Sequence, residues 1–136
     1  MVTQTSLTDS DTRLHPVVSA LIALAAWIVP GLGHLCLRRW GRALAFFLAV
    51  GGLAVVGHLM RGEIFTPQSQ DAFGTLAFLA DAGAGVFYFL PRVLAGAAPD
   101  AMGAAGSYGT RLIASAGIVN LLSVLDAIAI ARGRKS

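Results

Sequence analysis

The stretch Ala26-Trp27-Ile28-Val29-Pro30-Gly31-Leu32-Gly33-His34-Leu35 interrupts an apolar helix-forming run with a proline and two glycines, and sets a histidine just ahead of Arg38, Arg39 and Arg42. Proline removes an intrahelical hydrogen bond and crowds the carbonyl four residues back, so a helix entering Pro30 bends or unwinds there. Length makes the break decisive. Val17 to Val29 is 13 residues, roughly 20 Å of helix, whereas Pro16 to Leu37 reaches about 33 Å if helical throughout. A hydrocarbon core takes roughly 20 helical residues to cross. The first segment therefore crosses only if the break is bridged, and is otherwise re-entrant. Backbone groups freed at the bend cannot face lipid and need cover from another helix, from His34 or from interfacial water.

Lipid is the solvent that the composition calls for. Of 136 residues 56% are hydrophobic and 12% charged, where a soluble domain carries about 25% charged residues. The net charge of +3 comes from bases at the ends of apolar runs, the pattern of membrane flanks rather than of a nucleic-acid patch. One cysteine, Cys36, excludes an internal disulfide and reads as a small apolar residue. A cleavable leader is a poor reading of the first run. Asp9 and Asp11 precede it with Arg13 as the sole base, and Pro-Gly-Leu-Gly-His is no small-x-small cleavage site.

The expected architecture is an all-α membrane protein, a bundle of about four transmembrane helices whose first helix is bent or partly re-entrant at Pro30 to Gly33. A disordered polar tail over residues 1–13 precedes a helical membrane domain over 14–132, and 133–136 form a basic tail. The segments are 16–37, 43–60, 73–90 and 112–131, with 61–70 as a polar loop and 95–106 as a flexible Ala/Gly connection. No internal repeat is visible. With four spans, Arg38, Arg39, Arg42, Arg92 and Arg111 face one side and Arg13, Arg61, Arg132, Arg134 and Lys135 the other. That tie leaves the orientation open. It also puts the Arg38–Arg42 cluster and the C-terminal cluster on opposite sides, so one cluster is translocated or one segment does not cross, which adds to the case for a partial or re-entrant first segment.

Trp27, Pro30, Gly31, Gly33 and His34 form an aromatic-x-x-Pro-Gly-x-Gly-His pattern followed by bases. In this the chain resembles a family of uncharacterised small bacterial integral membrane proteins, distantly like two-transmembrane-helix domains. Tyr108-Gly109-Thr110, then Asn120-Leu121-Leu122 with Asp126-Ala127, resemble the same family, and Cys36-Leu37-Arg38 departs from its pattern, where an aromatic and Leu-Gly are expected. The resemblance implies the architecture and a location in the bacterial inner membrane; it carries no activity.

Four polar residues stand out inside apolar segments. Asp81 lies mid-segment, where an acid costs about 2.5 to 3.5 kcal/mol on insertion scales. It reads as a hydrogen-bonded acid joining helices, with Ala80, Gly83, Ala84 and Gly85 allowing close approach, as an ion- or proton-handling group, or as an acid left in water by a span boundary that falls elsewhere. Asn120 holds the ninth position of its segment, as Asp81 does of its own, so antiparallel neighbours would bring the two to one depth. Asn120, Ser123 and Asp126 with Ala116 and Ala127 draw a small, polar stripe that packs against protein. His34 is expected to bond exposed carbonyls or to face headgroups. His58 lies roughly 25 Å away along a spanning helix, so one ion cannot bind both. Arg38, Arg39, Trp40 and Arg42 suit contact with anionic headgroups.

No nucleophile elbow, phosphate loop or carboxylate-rich metal set is present. The chain therefore reads as a non-enzyme without cofactor, a structural or interaction module. Membrane lipids are its expected partners, followed by a second copy or another membrane protein, and nothing points to nucleic acid. The alternative is a small proton- or ion-coupled transporter using Asp81.

Overall fold

A computed structural model describes residues 15–68, 71–93, 98–100 and 102–133. The tail expected over 1–13, and Arg134 and Lys135, lie outside the described residues. The elements are helical: α1 (Pro16–Ile28), α2 (Leu32–Cys36), α3 (Trp40–Leu59), α4 (Ala72–Ala82), a 3-10 turn (Gly85–Phe89), α5 (Leu90–Val93) and α6 (Ala104–Ala131).

Two helices, α3 and α6, are long and apolar enough to cross a membrane. They pack antiparallel. Arg42 reaches Asp126 at one end, and at the other a Cβ on Gly57 would lie 2.7 Å from the Gly109 carbonyl and 2.8 Å from Ile113. Between them Val50, Ala54 and Ala116 form the buried core, flanked by Leu53, Phe87 and Val119. The Ala and Gly on these faces bring the two backbones close, which large residues would prevent. α6 is longer than expected, starting at Ala104 rather than residue 112. Asp100 makes this start, its Oδ1 accepting the Gly103 N–H at 3.0 Å. Part of the supposed flexible connection is therefore helix.

α1 and α4, of 13 and 11 residues, are about 20 and 17 Å long, short of the roughly 30 Å a span requires. Each is half of a hairpin, and the expected four spans give way to this arrangement. α1 runs antiparallel to α6 until its Trp27 carbonyl meets Asn120. Gly31, at φ +84°, then reverses the chain. A Cβ there would strike the Ala43 carbonyl, so both conformation and space call for glycine. α2 returns along α1, with Gly33 beside Ala26 and Ala127, to the end where it began. The bend expected at Pro30–Gly33 is thus a full reversal.

The segment expected as a continuous helix over 73–90 breaks as well. α4 sets out from the opposite end, where Phe73 and Ala77 share a cleft with Ser107, Thr110 and Ala114. It stops at Gly83, against Gly117 and Leu121. Gly85, at φ +63°, turns the chain against the Trp27 and Ile28 carbonyls. The 3-10 turn then leads back, with the Tyr88 hydroxyl donating to the Phe65 carbonyl at 3.2 Å. By residues 98–100 the chain rejoins Arg61, whose carbonyl accepts the Asp100 N–H at 2.9 Å. Each half of the chain is therefore one broken hairpin followed by one long helix, and the two halves point in opposite directions.

Candidate functional site

The tips of the two hairpins meet on one face of α6, at the level of Asn120. The last carbonyls of a helix lack intrahelical donors and carry the negative end of its dipole, so two converging C-termini repel and need N–H groups between them. Asn120 supplies both, its side-chain amide donating to the Trp27 carbonyl at 3.0 Å and to the Gly83 carbonyl at 2.8 Å. Trp27 adds a third link, its indole Nε1–H donating to the Ala82 carbonyl at 3.2 Å. Only a side chain with two donors on one nitrogen, placed on the helix that both hairpins share, can hold both ends. Gly117, one turn before Asn120, admits α4 because a Cβ would fall on the Ala80 carbonyl.

One and a half turns further along α6 sits a charged group. His34 is fully buried. Its Nε2 lies 3.0 Å from Asp126 Oδ2, the same oxygen that accepts from Arg42 Nη1 at 3.3 Å, and its ring stacks at 4.9 Å on Phe46. The reversal at Gly31 places His34 there, turning α2 inward instead of out toward headgroups. His34 thus departs from its expected role, bonding a carboxylate rather than exposed carbonyls. Arg42 Nη1 donates to Asp126 while remaining exposed, as Arg38 and Trp40 are, and Arg39 is partly exposed beside them. His58, in the last turn of α3, lies at the far end from His34.

Asp81 is also fully buried, but it does not pair with Asn120. Because α4 runs parallel to α6 rather than antiparallel, the Gly83 carbonyl meets Asn120, and the Asp81 carboxylate accepts the Phe65 N–H at 2.8 Å. That bond ties the 61–68 loop into the second hairpin. Of the stripe expected on α6, Ala116, Asn120, Ser123 and Ala127 are fully covered, whereas Asp126 is partly exposed.

Several of these groups keep unused hydrogen-bonding capacity. His34 Nδ1, Ser123 Oγ, Asn120 Oδ1 and Asp81 Oδ1 are buried without a hydrogen-bond partner. Among the described residues no three His, Cys, Asp or Glu side chains form a group that could hold a metal ion.

The links from α6 to the first hairpin span more than 90 positions of sequence, beyond the reach of any local pattern. What could be read beforehand was that α6 carried a polar face. No curated protein and no solved structure matches the chain. A family model does match, over residues 21–136, a range that takes in both hairpin tips and both long helices, and the chain accordingly belongs to the DUF6677 family, a family of unknown function.

Proposed function

We infer that this chain is an integral membrane protein that crosses the bilayer twice, through α3 and α6, and inserts a re-entrant hairpin from each face. The observation that carries this reading is the placement of side chains. Leu21, Leu44, Leu48, Leu76 and Leu125 are more than half exposed, while His34, Asp81, Asn120 and Ser123 are fully buried. Water as solvent favours the reverse, whereas lipid tails are as apolar as leucine and leave helices to associate through small and polar faces. The topology also breaks the charge tie. It puts Arg38, Arg39, Arg42 and Arg132 at one end, and Arg13, Arg134 and Lys135 adjoin the same end in sequence; Arg61, Arg92 and Arg111 belong to the other. Among the described bases the first end thus holds four against three, which on this reading makes it the cytoplasmic one.

Within that setting the chain acts as a non-catalytic packing and interaction module of the bacterial inner membrane. Labelling of single cysteines by an impermeant maleimide in intact cells and inverted vesicles tests the topology. Cys36 and a cysteine at Arg132 are expected to react only in inverted vesicles, and cysteines at Gln68 and Met102 only in cells. Opposite labelling of Cys36 and residue 132 would overturn the reading. For the module, purification in mild detergent is expected to give a defined oligomer or a constant membrane partner, and a partnerless monomer would count against it.

The unpartnered atoms favour a second reading, a proton- or cation-coupled carrier. His34 Nδ1, Ser123 Oγ, Asn120 Oδ1 and Asp81 Oδ1 follow α6 from its cytoplasmic end toward its middle, at a place where half-helix ends converge as they do in secondary transporters. Ion flux into proteoliposomes that is the same for Asp81→Asn as for the unaltered chain would end this reading.

A further inference from the structure

A groove of about 440 Å³ opens between the first hairpin and the start of α3, lined by Pro30, Leu32 and Leu35 on one wall and Trp40, Leu44 and Phe47 on the other. Its volume is that of a small-molecule site, and its walls are almost wholly apolar. We propose that it holds one acyl chain of an anionic phospholipid of the cytoplasmic leaflet, with the lipid phosphate on Arg38 and Arg39. The proposal rests on the membrane reading above and adds to it a defined ligand and site.

Charge and backbone geometry select this occupant. Arg38 and Arg39 immediately precede Trp40, which lines the groove and is 71% exposed. Tryptophan at that position suits headgroup depth. Among the described residues the one acid at this end of the molecule is Asp126, and it is already engaged by His34 and Arg42. Neither the Arg38 nor the Arg39 guanidinium has a protein partner among the described residues. Two cations without a partner among the described residues, next in sequence to the Trp40 wall of an apolar groove, complement an anionic head on an apolar tail.

Arg38 also occupies a backbone position that arginine does not favour. α2 ends with the Arg39 N–H on the His34 carbonyl at 2.8 Å and the Arg38 N–H on the Leu35 carbonyl at 2.9 Å, the arrangement in which a left-handed residue closes a helix. Glycine fills that position at no steric cost, whereas Arg38 sits there at φ +58°. The exposed Arg38 side chain has no partner among the described residues to account for that conformation, and it stands two residues before Trp40 on the groove wall, where a phosphate can use it.

The groove also offers a variant that blocks the site without disturbing the fold. Gly41 lines it, and a Cβ on Gly41 meets no atom within 4 Å, so the side chain of Gly41→Leu begins at the groove wall in open space. Replacing Arg38 by glycine removes the charge while easing the backbone, so any loss of binding cannot be ascribed to misfolding.

Native mass spectrometry of the full chain released from detergent tests the site, with phosphatidylglycerol and phosphatidylcholine of identical acyl chains competing. The unaltered chain is expected to retain one phosphatidylglycerol, preferred by about thirty-fold, the ratio that two bases near a charged surface supply. Arg38→Gly with Arg39→Gln is expected to lower that preference to near unity while one lipid of either kind is still retained. Gly41→Leu is expected to lose both lipids at an unchanged melting temperature. Equal retention of the two lipids by the unaltered chain, full retention by Gly41→Leu, or equal binding of glycerol 3-phosphate without a tail would each overturn the proposal. Failure of the membrane reading shows separately, as a chain that does not sediment with membranes.

Discussion

Asn120 holds the C-termini of two half-helices with one amide, and removing it tests whether that junction organises the fold. In Asn120→Ala the Trp27 and Gly83 carbonyls lose their donor at a site the structure leaves fully buried. Soluble proteins would suggest about 1–3 kcal/mol for each acceptor left unsatisfied. Interhelical hydrogen bonds between membrane helices measure less, about 0.6 kcal/mol on average and at most about 1.7, because the unfolded chain in the membrane also finds partners. On the proposed membrane reading that scale governs, giving about 1–3 kcal/mol for the two bonds. Part is returned, since Asn120 Oδ1 is itself buried without a hydrogen-bond partner and disappears with the side chain. A loss of about 1–2 kcal/mol results. Asn120→Asp sharpens the test at constant size. An ionised carboxylate accepts only, so it faces two carbonyls at the negative ends of two helix dipoles, and the loss exceeds that of alanine. Unfolding by sodium dodecyl sulfate titrated into mixed micelles, followed by Trp27 fluorescence, reads both. Alanine within 0.5 kcal/mol of the unaltered chain, or aspartate no worse than alanine, would refute the account of the junction.

Three further perturbations probe the elements that support it. Gly85→Ala combines a left-handed backbone with a Cβ that strikes the Trp27 carbonyl; the conformation alone costs about 1–2 kcal/mol, and the variant is expected to accumulate poorly in membranes by quantitative immunoblot. Arg38→Gly and Arg61→Gly both relieve a left-handed arginine, at φ +58° and +61°. The first is expected to gain about 1 kcal/mol, whereas the second also loses the Arg61 Nε bond to the Ala98 carbonyl and stays within about 0.5 kcal/mol of neutral; detergent unfolding of the pair shows the difference. Asp126→Leu leaves His34 buried without its carboxylate, and a loss of about 1–3 kcal/mol is expected, smaller in Asp126→Asn, which can still hydrogen-bond the ring.

Much of the first hairpin was legible because proline and glycine announce a break chemically. Pro30 and Gly31 sit where the chain reverses, and the polar stripe of α6 forecast its buried face through spacing alone. The second hairpin gave no such sign. Gly83-Ala84-Gly85 lies inside an apolar run without proline, and in a membrane segment that composition equally marks close helix packing. The returning leg, Val86-Phe87-Tyr88-Phe89-Leu90, is as apolar as the leg before it. A hairpin of two short apolar legs therefore has the composition of one 18-residue span, and hydropathy counts the same residues either way. What separates the two is contact with Trp27 and Ile28, more than 50 positions earlier.

The charges recorded the difference that hydropathy could not. The clusters at Arg38–Arg42 and at the C-terminus are separated by the second, third and fourth apolar segments, and three crossings force them to opposite sides. A re-entrant first segment does nothing for that conflict, since it precedes both clusters. The third segment lies between them, and turning it back into the face it came from leaves two crossings, an even number, and one side for both clusters. That segment reverses at Gly83–Gly85 because Asn120 and Trp27 give its last carbonyls donors at that depth. The parity of the basic clusters asks that one of the three segments between them not cross, and on the proposed membrane reading the donors at the hairpin junction single out the third as that segment.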